Sequence, residues 1–173
     1  MNGHLKMVQE FQEALELSRP ERGHTPHLSD MDIITYQALL MESGSETLKA
    51  IKTGEMGQIL TGLIDVAYVA LAAIAARGAD VIETPATWQH DGFVLSIMRL
   101  LSGKINLCAS GNTESYSDVY CLCVHLARGF LNADFDKAFK LAHEKNLSTL
   151  QTTGKCRVLE RSSLPDLSDC LYE

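Results

Sequence analysis

Apolar positions recur at helical spacing over most of the chain. Leu5, Val8, Phe11 and Leu15 lie three or four apart, which predicts a first helix over residues 5–17. Residues 18–28 hold Pro20, Gly23 and Pro26 and read as a loop. Ser29 or Asp30 can then cap a second helix over 31–52, which Thr53 and Gly54 end, the glycine being suited to a left-handed cap. A third helix is predicted over 55–77, closed by Gly78. After a loop with Pro85 come helices over 90–108 and 114–131, separated by Ser110, Gly111 and Asn112. A shorter one follows over 134–146. No repeat and no convincing strand pair is visible. The pattern is that of one all-α domain over residues 1–150 with a C-terminal tail, 151–173.

Within the third helix, residues 66–76 form an unbroken apolar run of eleven. A bilayer needs roughly 20, so the run reads as a helix buried on all sides or lying in a subunit interface. A small bundle would struggle to cover it, and an oligomer and no membrane partner are expected. The tail is polar and extended rather than a core element. Val158, Leu159, Leu164, Leu167 and Leu171 nevertheless predict that it packs on the oligomer or near a cleft.

Composition narrows the partners. With 173 residues, 46% hydrophobic and 21% charged, the chain can bury one real core. A net charge of -7 argues against a nucleic-acid polymer, which selects basic surfaces. It leaves nucleotides open, since a bound divalent cation reverses the local sign. Cys108, Cys121, Cys123, Cys156 and Cys170 are odd in number and lie mostly on apolar stretches. They read as buried thiols in a reducing cytoplasm. Residues 1–10 are polar and do not read as a signal peptide, so a cytoplasmic location is expected.

Three acids draw attention. Glu42 and Glu46 share one face of the second helix. The apolar stripe Ile33, Leu40, Leu48 and Ile51 lies nearly opposite, so that face can be a solvated one with Thr35 and Lys49. Asp65 sits among Leu63, Ile64, Val66, Ala67, Tyr68 and Val69. A carboxylate there must find a cation or a hydrogen-bonding partner, and both structural pairing and function fit it.

Residues 39–51, Leu-Leu-Met-Glu-Ser-Gly-Ser-Glu-Thr-Leu-Lys-Ala-Ile, together with 62–69, Gly-Leu-Ile-Asp-Val-Ala-Tyr-Val, and 139–148, Phe-Lys-Leu-Ala-His-Glu-Lys-Asn-Leu-Ser, carry a likeness. They resemble, in order, three signatures of the MazG-like nucleoside triphosphate pyrophosphohydrolases, the phosphoribosyl-ATP pyrophosphohydrolase-like proteins. The family's forms are a leucine pair before Glu-Glu-x-x-Glu, then Glu-x-x-Asp before an apolar run with tyrosine, then Phe-x-x-x-His-x-x-Asn-Met-Ser-Lys. The opening Val8-Gln9-Glu10-Phe11 also fits. The likeness covers most of residues 7–150, with 83–130 resembling a helical pair inserted in some relatives.

The resemblance implies an antiparallel helix bundle that forms a homodimer or homotetramer. It implies a nucleotide substrate cleaved to monophosphate and pyrophosphate, with Mg2+ or Mn2+ bridging carboxylates and phosphate oxygens. Glu42 matches the glutamate that positions the attacking water, Glu46 and Asp65 match metal ligands, and Asn146 and His143 match nucleotide-binding positions. Ser43, Gly62 and Thr149 stand where the family has glutamate, glutamate and lysine. Two readings follow: a metal-dependent hydrolase with fewer carboxylates, completed from a partner subunit, or a catalytically degenerate nucleotide-binding or interaction module. Restoring glutamates at 43 and 62 is expected to rebuild the metal site, with Gly62→Glu also favouring the helix.

Overall fold

Six α-helices build the domain in a computed structural model that describes residues 1–17, 28–85, 91, 93–153 and 165–172. They are α1 (Gly3–Leu17), α2 (Asp30–Thr53), α3 (Met56–Ala76), α4 (Val94–Leu107), α5 (Thr113–Gly129) and α6 (Phe135–Thr153). Among the described residues there is no strand, only an isolated antiparallel bridge between Ala133 and Leu171. The all-α reading of the sequence holds. The expected loop over 18–27 and the expected start of the fourth helix at His90 lie outside the described residues.

Local chemistry sets the helix ends. Ser29 caps α2, its hydroxyl accepting from the Asp32 N–H while the Asp32 carboxylate accepts from the Ser29 N–H. Each satisfies a backbone donor that the first turn leaves free. Gly54 ends α2 at φ 76°, the left-handed conformation read from the sequence. Asn112 caps α5 by accepting from the Ser115 N–H at 2.8 Å.

Helix α3 is the axis of the fold. It packs against α1, α2, α5 and α6, and every residue from Gly62 to Ile74 except Asp65 is buried. Its apolar stretch is longer than the run of eleven suggests. The whole helix, 21 residues with a mean hydropathy of 2.1 in its most apolar window, is long and apolar enough to cross a membrane by length and composition. Yet 83% of that window is buried inside the bundle. The chain's own helices cover it, so its apolarity does not call for a second copy.

The pair α4 and α5 does more than decorate the bundle. Helix α5 lies along α3, and Tyr116, Val119, Cys123, Leu126 and Ala127 are fully buried or nearly so. The end of the chain is likewise a structural element. Leu167 and Cys170 are each 1% exposed. The Cys170 carbonyl accepts from the Asp134 N–H at 2.8 Å, and the Tyr172 N–H donates to the Asn132 carbonyl at 2.9 Å. Residues 165–172 thus fold back as a clasp over the α5–α6 turn, not as an extended tail. Of the tail's five leucines and valines, Val158, Leu159 and Leu164 lie outside the described residues.

Candidate functional site

The seam between α2 and α3 is where the carboxylate signatures meet. Helix α2 buries Leu40, Ser43, Gly44, Thr47 and Ala50. These are mostly small residues, and they correct the apolar stripe read from the sequence: Ile33, Leu48 and Ile51 are only half-buried. Glu46 therefore flanks the seam instead of lying opposite the core, and Glu42, a turn before it, is exposed. Glu46 accepts from the Lys49 ammonium at 2.9 Å.

On α3 the opposing residue is Gly62. A Cβ built there would fall on Thr47 Oγ1 and within 3.0 Å of both Thr47 Cα and Cβ. The two helices have closed until backbone meets backbone. Thr47, fully buried, donates its hydroxyl to the Ser43 carbonyl at 2.8 Å. That back-bond satisfies the hydroxyl without any partner from α3. Ser43 is 5% exposed. Of the two positions that lack the signature's glutamates, Gly62 is thus closed by the contact with Thr47 and Ser43 is buried. Restoring glutamates there is not a simple rebuilding, and the helix-propensity gain expected for Gly62→Glu is overturned by the clash.

Asp65 lies about 60° round α3 from Gly62, and Tyr68 about 60° further. Gly62 faces Thr47 on α2, and Tyr68 faces α6, so Asp65 points between those two neighbours. It is the one half-buried residue from 62 to 74 and is engaged by its surroundings. The wholly apolar burial inferred from its neighbours does not apply to it.

His143 is 5% exposed and sits in an aromatic cluster that joins α1, α3 and α6. Its Nδ1 hydrogen-bonds the Tyr68 hydroxyl at 3.2 Å, and its Nε2 lies 3.7 Å from Glu10 Oε2. Tyr68 stacks on Phe139 with centroids 5.4 Å apart, and Phe11 meets Tyr68 edge-on at 5.9 Å. Asn146 is half-buried, one turn further along α6. The structure therefore joins Tyr68 to His143, sets Asp65 one turn before Tyr68 on α3, and leaves Glu42 exposed on α2. Nothing in the sequence pattern linked His143 to Tyr68 or Glu10. The tyrosine within the second signature was the one available clue.

Among the described residues no three His, Cys, Asp or Glu side chains gather closely enough to hold a metal ion. A separate polar cavity of about 770 Å³ opens elsewhere, lined by His4, Glu83, Tyr120, His125, Arg128 and Asp136 among others. In its wall His4 Nδ1 lies 2.8 Å from the Tyr120 hydroxyl and Nε2 3.2 Å from Asp136. This chain of contacts staples the start of α1 to α5 and α6.

Burial lowers the pKa of both His4 and His143, with Asp136 and Glu10 respectively opposing it. In the unfolded chain each imidazole takes a proton near pH 6.5, whereas the folded chain resists until lower pH. The unfolded state then binds more protons, so stability is full above about pH 6.5 and is lost progressively as pH falls below it. Thermal melts from pH 8 to 5 should show this decline, and His143→Gln should make it shallower. An unchanged slope in the variant would remove His143 from the explanation.

The domain is thus an all-helical bundle that carries Glu46 and Asp65 beside an α2–α3 seam. Residues 8–87 match the family model for phosphoribosyl-ATP pyrophosphohydrolase, a family of the MazG-like pyrophosphohydrolase superfamily. The match takes in α2, α3 and the part of α1 from residue 8, and ends ahead of α4. No curated protein and no solved structure matches the chain.

Proposed function

We propose that this chain binds a nucleotide polyphosphate as a degenerate member of the pyrophosphohydrolase class, with little or no hydrolysis by a single copy. The observation that carries the reading is the contact of Gly62 with Thr47, which occupies the space a carboxylate side chain at position 62 would need. Hydrolysis of a polyphosphate requires its charge to be neutralised before water can attack. Glu46, tied to Lys49, and Asp65 leave a cation fewer carboxylates than the family's signatures supply. The match to a nucleotide-cleaving family supports a nucleotide as the ligand. Asp65 and Asn146, half-exposed on α3 and α6, are the polar side chains we assign to it, with buried His143 one turn before Asn146 on α6.

A metal-dependent hydrolase completed by a second copy is the competing reading. It is favoured by Glu42, whose exposed carboxylate on α2 is free of the seam and adjoins Glu46. Calorimetric titration with the common nucleoside triphosphates, with and without Mg2+, separates them. The binding reading expects saturable binding that persists in a chelator and weakens at least about tenfold in Asn146→Ala, a loss of about 1.4 kcal/mol. Absence of binding to every nucleotide under both conditions would sink it. Binding that appears only with Mg2+ favours the competing reading.

A further inference from the structure

Helices α2 and α4 border a cavity of about 500 Å³. Met41 and Leu48 form its wall on α2, and Leu101 and Ile105 its wall on α4. Gly44 sets how closely the walls meet, since a Cβ there would lie 2.7 Å from Ile105 Cδ1. The cavity stands apart from the carboxylate seam. Met41 and Leu48 lie roughly 150° round α2 from Glu46, and α4 lies beyond the residues matched to the family. A mostly apolar lining with a few polar groups is the usual form of a small-molecule site.

The polar groups stand at its two ends. At one, the Gln37 Nε2 donates to the Ile105 carbonyl at 3.1 Å, which fixes the orientation of the amide. Its Oε1 is buried and has no hydrogen-bond partner among the described residues. Proteins rarely leave a buried acceptor unmet, because its lost hydration is not recovered. Gln37 borders the cavity, so a ligand held there is what can bring the donor. The other end is basic. Lys49 and Lys52 border it, and no acid does among the described residues, in a chain of net charge -7. Lys49 is engaged by Glu46 at 2.9 Å, which leaves the larger share of an anion to Lys52. From Gln37 to Lys52 the helix runs about 22 Å. A volume of about 500 Å³ drawn out over that length is a slot rather than a bowl. We propose that the slot binds a long-chain organic anion. Its apolar chain lies between the two walls, its carboxylate meets Lys52, and a hydroxyl or amide N–H at the far end donates to Gln37 Oε1. An extended chain of twelve carbons with a hydrogen bond at each end covers the distance.

Calorimetric titration with three matched probes, each below its micelle concentration, tests the assignment. The ω-hydroxydodecanoate anion carries both polar ends, dodecanoate lacks the hydroxyl, and the terminal dodecanediol lacks the charge. The hydroxy acid should bind saturably, and each of the others at least about threefold more weakly. Gln37→Leu should remove the advantage of the hydroxyl and leave dodecanoate binding as in the parent. Lys52→Ala should remove the advantage of the hydroxy acid over the diol. Gln37→Leu also loses the bond to Ile105, so a second variant guards against a folding defect. Ser102 is exposed on α4 and borders the slot, and an indole introduced by Ser102→Trp should block all three probes without touching the core. No saturable binding, equal affinity for the three probes, or a hydroxyl advantage that survives Gln37→Leu would overturn the proposal. A slot covered by another copy of the chain or by a different protein would take up none of the probes, and would overturn it too.

Discussion

Gly62→Glu should strongly destabilise the chain, and even Gly62→Ala should cost about 1–3 kcal/mol, the usual effect of overpacking a tight contact. Alanine normally stabilises a helix interior by about 1 kcal/mol relative to glycine. Here its methyl would meet Thr47 Cα, which belongs to the backbone and cannot step aside. Glutamate adds the cost of a carboxylate in a dry seam, about 2 kcal/mol or more without a partner. The total is a large part of the 5–15 kcal/mol that holds a typical domain together. Gly103 provides the control. It is an exposed interior residue of α4 with nothing within 4 Å of a built Cβ. Gly103→Ala should therefore stabilise by about 1 kcal/mol. Urea denaturation of the two alanine variants measures the contrast directly. If both gain stability equally, the seam opens freely and carboxylates could return to it.

Phe139→Ala should cost about 3–5 kcal/mol. Phe139 is fully buried and lies at the centre of the cluster that joins three helices. It stacks on Tyr68, lies 5.8 Å from Phe135 and 4.5 Å from His4 between ring centroids, and so ties α6 to both α3 and α1. Its loss leaves a cavity that these large, rigid rings cannot readily close. The Tyr68–His143 hydrogen bond depends on that packing, so nucleotide affinity should fall along with stability. Phe139→Leu, which keeps most of the volume, should retain most of both. Equal and small losses for alanine and leucine would show that the cluster is not what holds α6 in place.

The helices were legible because each carries its own periodicity and punctuation. Ser29, Gly54 and Asn112 act as the ends that their residue types allow. The face that α2 buries was not legible from hydropathy. Ile33, Leu48 and Ile51 are the larger apolar side chains yet only half-buried, while the core is met by Ser43, Gly44, Thr47 and Ala50. Small residues mark close helix approach, and only the position of the opposing helix reveals that they are doing so. The same blindness hid the Gly62–Thr47 contact and made a lost glutamate look replaceable. His143 was readable as a member of a signature but not as a buried partner of Tyr68, 75 positions earlier. The clasp of Leu167 and Cys170 was hidden for a similar reason, since its partners lie in the α5–α6 turn.

The most direct test of the account is pyrophosphate release from a panel of nucleoside triphosphates, measured with Mg2+ and with Mn2+. The protein should first be shown to bind at least one of them. A chain whose α2–α3 seam has closed over two ligand positions should bind without releasing pyrophosphate above the uncatalysed background, and Asp65→Asn should change nothing in the assay. Metal-dependent release that saturates with nucleotide and disappears in Asp65→Asn would contradict the account.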